Sequence, residues 1–454
     1  MVRCPRTIAL FLVDAKLIFC YSASKSLLVN FTAMNEKQDP IIGTWWISDK
    51  PENKVPGSLE VDEKKLTLLG AFNSFPSSAL MVSILETPVK ENMIVGISSK
   101  GEYFSLEYYK TPAHTQLAFS RSLSHNETYS IYRIIKGGHF DNIDELSFDH
   151  IRVELPHLFQ WFSKSAVKSE ILSKEEKGLD TISITCDLNN PERTVLYSDE
   201  LIEVSYNIDL TVPTLPLDDL HISQKGIVKI ESKIKSMQLD SLLSILNSLI
   251  RFLQIGIGQK LKPIKITAHI DKNNVQVLLP PNLITIKKRS IHDMMFSFSE
   301  VEGSIQDILH KVINYNHDYA DILNLYSGLI EDSTKNIHNR FKDAVSFIEG
   351  FVKQKSGDKT LEQVFKLFNK EYTNSKGDTL LPAADVKKII VTRDRLTHFF
   401  MHEKKLKHVV DEECIIIYTD KLIFLIEFAL LKDLGLHDDL LEKFYEKRSK
   451  SVLY

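Results

Sequence analysis

The sequence predicts an α+β protein of several domains, in which a β-rich antiparallel N-terminal region precedes an all-α helical bundle. Two observations predict this class. Up to about residue 290, short segments alternate apolar and polar residues at period two, which is typical of half-buried strands. From about residue 300, apolar residues recur at the helical period instead. The chain has 454 residues, a length that allows about three domains.

Composition excludes several classes of protein. Hydrophobic residues make up 43% and charged residues 26% of the chain, which excludes wholesale disorder. The net charge of −4 argues against a protein that coats nucleic acid, but it leaves a local basic groove open. Widely spaced cysteines predict neither a disulfide framework nor a Cys-type zinc site, and we expect a cytoplasmic protein. These cysteines are Cys4, Cys20, Cys186 and Cys414.

The first 33 residues are interpreted separately. Two arginines precede an apolar run that imitates a signal peptide, but Asp14 and Lys16 shorten that run. Met34 then opens a polar segment that leads into strand-like sequence. We therefore expect residues 1–33 to be an appended extension from a mis-assigned start. Near the other end, the apolar run 422–431 is too short to span a bilayer, so no membrane partner is expected.

The β-rich region is expected to cover residues 34–295. Segments 93–98 and 103–109 flank Gly101 and predict a β-hairpin. A helix is predicted over 239–254, with Gly256 as its cap. The pattern also allows a division into two subdomains near residues 165–180. Further alternating segments predict strands at 181–185, 201–210, 226–234, 263–270 and 275–280.

The helical bundle is expected to cover residues 296–454. Short links between its helices indicate compact packing. The fifth helix is predicted to end at Gly435. Apolar periodicity predicts helices over about 305–331, 337–353, 361–368, 384–405, 414–434 and 440–447.

The fourth predicted helix concentrates groups with acid–base and phosphate-binding chemistry. An arginine can clamp a phosphate through two parallel hydrogen bonds. A histidine can give or take a proton near neutral pH. Together they can cleave RNA without a metal, because the imidazole removes the 2′-hydroxyl proton and the guanidinium stabilises the charged phosphorane. The residues concerned are Arg393, Asp394, Arg395, His398 and His402.

Two other interpretations of this cluster remain open. The charged residues can be surface ion pairs along one helix face. Alternatively, His398 and His402 are four residues apart, which places both imidazoles on one face as metal ligands. The sequence lacks the HExxH pattern and an obvious third ligand, so we expect no metal and no other cofactor.

The segment Arg393-Asp-Arg-Leu-Thr-His398 resembles the R-x4-6-H signature of HEPN domains, helical-bundle ribonucleases common in prokaryotic toxins and defence systems. The segments 43–49 (GTWWISD), 66–72 (LTLLGAF) and 134–140 (IIKGGHF) resemble the N-terminal domain of ApeA-like proteins. The resemblance implies a bacterial anti-phage protein that acts by abortive infection through a HEPN nuclease. It also implies an RNA substrate, a phage-derived trigger sensed by the β-rich half and a homodimer. Trp45 and Trp46 themselves are expected to be core residues.

Roles within the motif are assigned from the resemblance and from helix geometry. The family pattern favours Arg393 to hold the phosphate, His398 as general base or acid, and Asp394 to orient them. Arg395 and His402 are auxiliary. At 100° per residue, Arg393 and His398 would lie about 140° apart, whereas Arg395, His398 and His402 would fall within about 60°. Both Arg–His pairings therefore remain open.

Lysines just beyond the motif, Lys404 and Lys405, are candidate RNA-phosphate contacts. An equally good explanation is that these lysines lie at the solvated C-terminal end of a helix, where the helix dipole favours cations. A second hypothesis for the whole chain is a non-catalytic binding and dimerisation protein with a degenerate HEPN domain.

Overall fold

Two compact units make up the chain. We call them the β unit (Met1–Phe159, Lys164–Ser244, Lys262–Lys288) and the helical unit (Gln160–Ser163, Ile245–Leu261, Arg289–Tyr454). The structure is a computed structural model, and it describes residues 9–13, 16–22, 38–72, 93–109, 114–118, 124–172, 181–187, 193–211, 223–271, 273–280, 290–318, 320–331, 336–372, 381–398 and 407–453.

Antiparallel strands build the β unit, as the period-two alternation predicts. They are β1 (Ala9–Val13), β2 (Lys16–Ser22), β3 (Ile41–Ile47), β4 (Val55–Glu60), β5 (Lys65–Leu68), β6 (Ile94–Ser98), β7 (Tyr103–Tyr108), β8 (His114–Ala118), β9 (Ser124–Lys136), β10 (Ser147–Phe148), β11 (His150–Glu154), β12 (Val167–Leu172), β13 (Thr181–Asp187), β14 (Thr194–Ser198), β15 (Ile202–Thr211), β16 (Ser223–Ser232), β17 (Met237–Gln238), β18 (Lys265–Ile270) and β19 (Asn273–Leu278).

A closed barrel lies at one end of the main sheet. Within the described residues, β9, β5, β4, β3, β6 and β7 pair in that order, and β7 pairs again with β9. Trp45 is fully buried in the barrel core. Trp46 is the next residue of β3 and therefore faces the other side of the strand, where it is also buried, at 5% exposure. Both tryptophans are thus buried, as expected of core residues. Gly96 permits this packing, because a Cβ there would lie 2.2 Å from the Trp45 ring. Gly101, at φ +79°, makes the turn of the predicted β6–β7 hairpin.

Beyond the barrel the same sheet continues from β9 through β19, β18, β11, β16, β15 and β14. Strands from both sides of residues 165–180 thus share one sheet. A separate four-stranded sheet has the order β1-β2-β13-β12. Its first two strands come from the first 33 residues, whose assignment as an appended extension stays a prediction.

The described helices are α1 (Leu158–Phe162), α2 (Leu239–Ile257), α3 (Phe298–Val301), α4 (Ile305–Asp318), α5 (Ala320–Glu331), α6 (Ile337–Ser356), α7 (Leu361–Glu371), α8 (Ala383–Thr397), α9 (Glu412–Leu434) and α10 (Asp438–Leu453). Among the described residues, α2 has the length and composition to cross a membrane, but 61% of its apolar window is buried inside the protein. The core helix of a globular protein passes the same test.

The end of α2 corrects the predicted cap. Gly256 lies inside the helix, and a Cβ there would be 2.9 Å from the Phe296 ring. Gly258 instead has φ +69° and donates its N–H to Gln254 O at 2.9 Å. The sequence shows Gly256 and Gly258 close together, and either could end the helix. Only the packing of Gly256 against Phe296, which the sequence does not reveal, excludes Gly256 as the cap.

Helix α9 runs through the core of the helical unit. All ten residues from Leu422 to Leu431 are buried. The predicted end at Gly435 is confirmed, since its φ of 85° and its N–H bonds to Leu431 O and Lys432 O form a left-handed cap. The predicted helix over 305–331 is covered by α4 and α5, which lie on either side of residue 319, a residue outside the described part of the chain.

The fourth predicted helix ends earlier than expected. It stops at Thr397, and His398 has an extended backbone with φ −121° and ψ 123°. The Thr397 hydroxyl donates to Arg393 O at 2.8 Å, a bond back to the preceding turn of a kind that often bends helices. The prediction of one unbroken helix over 384–405 is wrong at His398, and His398 does not share a helical stripe with Arg395. Residues 399–405 lie outside the described residues.

Two imidazoles in the β unit predict a pH-dependent stability. His150 and His269 stack on neighbouring strands with ring centroids 4.1 Å apart. Burial lowers the pKa of His150 to about 4, and Lys229 adds to the effect. Burial also lowers the pKa of His269. An unfolded histidine titrates near 6.5, so between about pH 6.5 and pH 4 the unfolded chain binds more protons than the folded chain does. The free energy of unfolding therefore falls as the pH falls from about 6.5 towards 4.

We therefore expect the melting temperature of the parent to fall more steeply than that of His150→Gln between pH 7 and pH 4.5. Circular dichroism melts at several pH values measure this. Parallel curves for the two proteins would contradict a role for the histidine pair.

Candidate active site

Helix α8 positions the motif from its buried side. Pro382 precedes the helix, and Val386, Ile389 and Val391 face the core of the helical unit. Asp385 in the first turn accepts a hydrogen bond from the Tyr418 hydroxyl of α9 at 2.9 Å. These contacts fix α8 against its neighbours, and they leave its C-terminal turn to carry the polar motif.

A second contact joins the chain on the two sides of the motif. Thr392 is buried, and its hydroxyl accepts the Val410 N–H at 3.2 Å. Asp411 then caps α9 by accepting the Cys414 N–H at 2.9 Å. Residues 393–409 therefore run between two points that are anchored to the bundle.

Arg393 lies between two carboxylates. Its Nη2 is 3.3 Å from Glu349 Oε2 on α6, and its Nη1 is 3.2 Å from Asp394 Oδ1. The Arg393 side chain is 26% exposed. The guanidinium is thus oriented by acidic groups and still reaches solvent, as a phosphate-binding arginine requires.

His398 follows one turn later. Its backbone N–H donates to Asp394 O at 2.8 Å, and the residue is exposed. Asp394 therefore contacts Arg393 through its carboxylate and His398 through its carbonyl. The described contacts link these three predicted residues through Asp394, and the catalytic pairing of Arg393 with His398 stays a prediction. Arg395 is exposed in the last turn of α8, while His402, Lys404 and Lys405 lie outside the described residues.

Glu349 is a residue that sequence reasoning missed. It also pairs with Lys353 one turn along α6, at 3.0 Å. An i, i+4 Glu–Lys pair is common on any helix surface, and no local pattern links it to Arg393, 44 residues later. Only the packing of α6 against α8 brings the two together.

Positive charge collects around His408, ten residues after His398. Partial burial lowers the pKa of His408, and neighbouring ammonium groups lower it further. A cluster of cations next to the motif favours anionic ligands such as a phosphate backbone. The ammonium groups belong to Lys387, Lys407 and Lys388.

A metal site is the other chemistry that the motif allows. Across the part of the chain that the structure describes, no group of three or more His, Cys, Asp or Glu side chains is placed to hold a metal ion. Because His402 lies outside that part, its pairing with His398 as metal ligands stays a hypothesis.

Family models match almost the whole chain. Residues 40–312 match the model described as ApeA N-terminal domain 1, and residues 302–440 match the model described as Apea-like HEPN. The two matches overlap at the start of α4. Searches of curated proteins and of solved structures found no match. The second match contains the whole candidate site.

The Arg393–Glu349 contact generates a prediction. Glu349→Gln should tighten the binding of a short RNA several-fold, because Arg393 would lose a carboxylate that competes with phosphate. Stability should change by only about 0–1 kcal/mol, as expected for a partly exposed ion pair. Fluorescence anisotropy measures the affinity, and thermal melting measures the stability.

The matched control is Glu362→Gln on α7. Glu362 also forms an i, i+4 pair with a lysine, Lys366, at 3.1 Å. It has the same charge and the same local pairing as Glu349, so it reports the general effect of removing one negative charge. Equal changes in affinity in both variants would show that Glu349 has no specific effect on Arg393.

Proposed function

The chain belongs to the ApeA-like family, with an ApeA N-terminal domain and a C-terminal HEPN domain, and from this premise we propose that it is a metal-independent endoribonuclease. These domains support membership of a family of anti-phage HEPN effectors. We further propose that RNA cleavage by the HEPN domain produces abortive infection.

One observation carries the proposal. The last turn of α8 carries Arg393, and the exposed His398 follows directly after the helix; Asp394 contacts Arg393 through its carboxylate and accepts the backbone N–H of His398 through its carbonyl. The cation can stabilise charge on a phosphate, and the imidazole can carry a proton. Together these two groups supply what cleavage by the RNA's own 2′-hydroxyl requires.

In the proposed reaction, His398 removes the proton of the 2′-hydroxyl, and the oxygen attacks the adjacent phosphorus. Arg393 donates hydrogen bonds to the phosphorane oxygens as negative charge builds up there. The bond to the 5′-oxygen then breaks, and that oxygen takes up a proton. The products are a 2′,3′-cyclic phosphate and a 5′-hydroxyl. Asp394 keeps the guanidinium oriented through its 3.2 Å contact.

The rest of the proposal concerns control and assembly. The β unit is proposed to sense a phage-derived trigger, and the helical unit is proposed to act as a homodimer in the cytoplasm. The family match to the HEPN domain supports an RNA-acting, dimeric assembly.

A second candidate function is a non-catalytic binding protein. The observation that favours it is the pairing of Arg393 with Glu349 and Asp394, since ion pairs of this kind also occur as purely structural contacts. Activity of purified protein on RNA distinguishes the two candidates.

Variants of the motif test the catalytic roles. His398→Ala should slow cleavage by about 10²–10⁴-fold, because proton transfer is lost. Arg393→Ala should slow it by about 10²–10³-fold, by analogy with other preorganised donors. Arg393→Lys should recover little, since an ammonium cannot make the two-pronged phosphate contact. Arg395→Ala should have a smaller effect. Single-turnover cleavage of labelled RNA measures these rates.

Circular dichroism of each variant controls for folding. His402→Ala distinguishes the two Arg–His pairings. If it abolishes cleavage in a folded protein while His398→Ala does not, then Arg395 and His402 form the catalytic pair. If all folded variants cleave as well as the parent, the motif is not the catalytic site, and if the folded parent does not cleave RNA at all, the binding-protein candidate is correct.

The metal dependence provides another prediction. Cleavage should persist in EDTA and leave 2′,3′-cyclic phosphate ends, because the nucleophile is the RNA's own hydroxyl and no metal-activated water is required. Mass spectrometry of the fragments identifies the ends. Loss of cleavage on chelation, with recovery on adding zinc or magnesium, would point to a metal mechanism instead.

A further inference from the structure

Three exposed lysines surround one imidazole of the helical unit. Lys387 and Lys388 lie on the exposed side of α8, and Lys407 is exposed in the segment that leads to α9. Desolvation lowers the pKa of His408, and the ammonium groups of all three lysines lower it further. The three side chains therefore lie within electrostatic reach of His408, and we call them the lysine cluster.

Backbone contacts keep the lysine cluster together. Thr392 follows Lys388 by one turn of α8, and its hydroxyl accepts the Val410 N–H at 3.2 Å. Val410 is thus held against α8, and Lys407 stands only three residues before it. The cluster consequently has a fixed position beside α8, near the start of α9.

Ion pairs do not neutralise the lysine cluster. Within the described part of the chain, neither Lys387 nor Lys407 forms an ion pair, and Lys388 Nζ is 4.0 Å from Asp385 Oδ1. An exposed contact of that length contributes little. Like charges gathered at one place repel each other, and they raise the local concentration of anions. A bound anion would therefore stabilise this arrangement.

The carboxylates around the lysine cluster are engaged elsewhere. Asp385 accepts the Tyr418 hydroxyl at 2.9 Å. Glu412 lies 3.7 Å from His338 Nε2 on α6. Glu413 is in the first turn of α9, where the helix dipole stabilises a negative charge. Much of the positive charge of the cluster is therefore left for a ligand.

The position of the cluster on α8 indicates which anion it meets. Lys388 and Arg395 are seven residues apart, so on an ideal helix they lie about 20° apart in angle and about 10 Å apart along the axis. Arg395 is exposed in the same part of the helix as Arg393. A single phosphate binds at one end of this stretch, whereas a polymer with a phosphate at every nucleotide can bind at both ends.

We propose that the lysine cluster binds the phosphate backbone of an RNA strand on one side of the phosphate that is cleaved. This inference rests on the proposed function, because it takes the strand at Arg393 as the substrate. It adds a requirement for length: an RNA that extends several nucleotides beyond the cleavage site contacts the cluster, and a dinucleotide does not. Contacts to phosphate carry no sequence information, so the cluster selects length and not sequence.

The first experiment measures binding with the full chain carrying His398→Ala, so that the proposed cleavage has no part in the readout. Fluorescence anisotropy follows a labelled single-stranded RNA between about 50 and 200 mM salt. Each lysine that neutralises a phosphate adds about 0.7 to the slope of log affinity against log salt. Exchanging Lys387, Lys388 and Lys407 together for glutamine should lower the slope by about 2 and weaken binding about hundredfold at about 0.1 M salt.

Each single lysine variant should lower the slope by about 0.7, so a folding defect in the triple variant does not remove the test. Lys311→Gln is the matched control. Lys311 is exposed on α4, forms no ion pair within the described residues, and places its Nζ beside Gly435 at the end of α9. That end is about 30 Å along the helix from its start. The control should therefore keep the affinity and the slope of the parent.

The second experiment restores His398 and measures cleavage. The triple variant should have a higher KM for a long RNA, an unchanged kcat, and the parental rate on a dinucleotide. If the parent cleaves RNA but the triple variant keeps its affinity and its salt slope, the lysine cluster is not a subsite, although the proposed function stands. If the parent binds RNA with the expected slope changes but never cleaves it, the subsite is supported and the proposed catalysis fails.

Two further outcomes would overturn the proposal. One is that RNA does not bind in a salt-dependent manner at all. The other is that polyglutamate binds more tightly than RNA and that the lysine substitutions weaken only polyglutamate, which would make the lysine cluster a site for an acidic protein.

Discussion

The helical unit depends on the burial of one helix. From Leu422 to Leu431, α9 has no solvent-facing side, and a helix that is apolar all round is stable only when other helices surround it. Its neighbours α6 and α10 pack on it, and α8 is tied to it through Tyr418 and Asp385. The two helices that carry Glu349 and Arg393, α6 and α8, are thus both held against α9.

The same burial explains why Glu427 is significant. A carboxylate within an otherwise apolar stretch weakens the core unless other groups compensate for it. Arg448 and Tyr326 provide part of that compensation. The helix thus loses some packing energy at Glu427, and the contacts with Arg448 and Tyr326 tie α9 to α10 and α5 at that point.

Arg393 shows a related compromise in the proposed active site. Its contacts with Glu349 and Asp394 hold the guanidinium in one orientation without closing it off from solvent. An arginine without such partners would sample many rotamers and would lose more entropy on binding phosphate. The carboxylates also compete with phosphate, so orientation is gained at the expense of affinity. Lys353 moderates this competition, because it shares the charge of Glu349.

Much of the fold and the motif itself could be predicted from local patterns, whereas the contacts around the motif could not. Alternation predicted the β6–β7 hairpin, and helical periodicity with Gly435 predicted the end of α9, because these features depend on neighbouring residues. The end of α8 at Thr397 was missed, because apolar periodicity does not show that the backbone of His398 is extended. The motif was visible because its members lie within six residues of the sequence. Glu349 was not visible, because its partner Arg393 lies in a distant segment.

The closed barrel has a consequence for how the protein is made. A ring of strands leaves no open edge, and this ring is complete when β9 has been synthesised, because β9 pairs with both β5 and β7. Domains fold in the order in which they leave the ribosome. The barrel can therefore close while α8 and α9 have not yet been translated. A chain interrupted at that stage would carry a closed N-terminal barrel and neither Arg393 nor His398, so the barrel can form before the proposed active site exists.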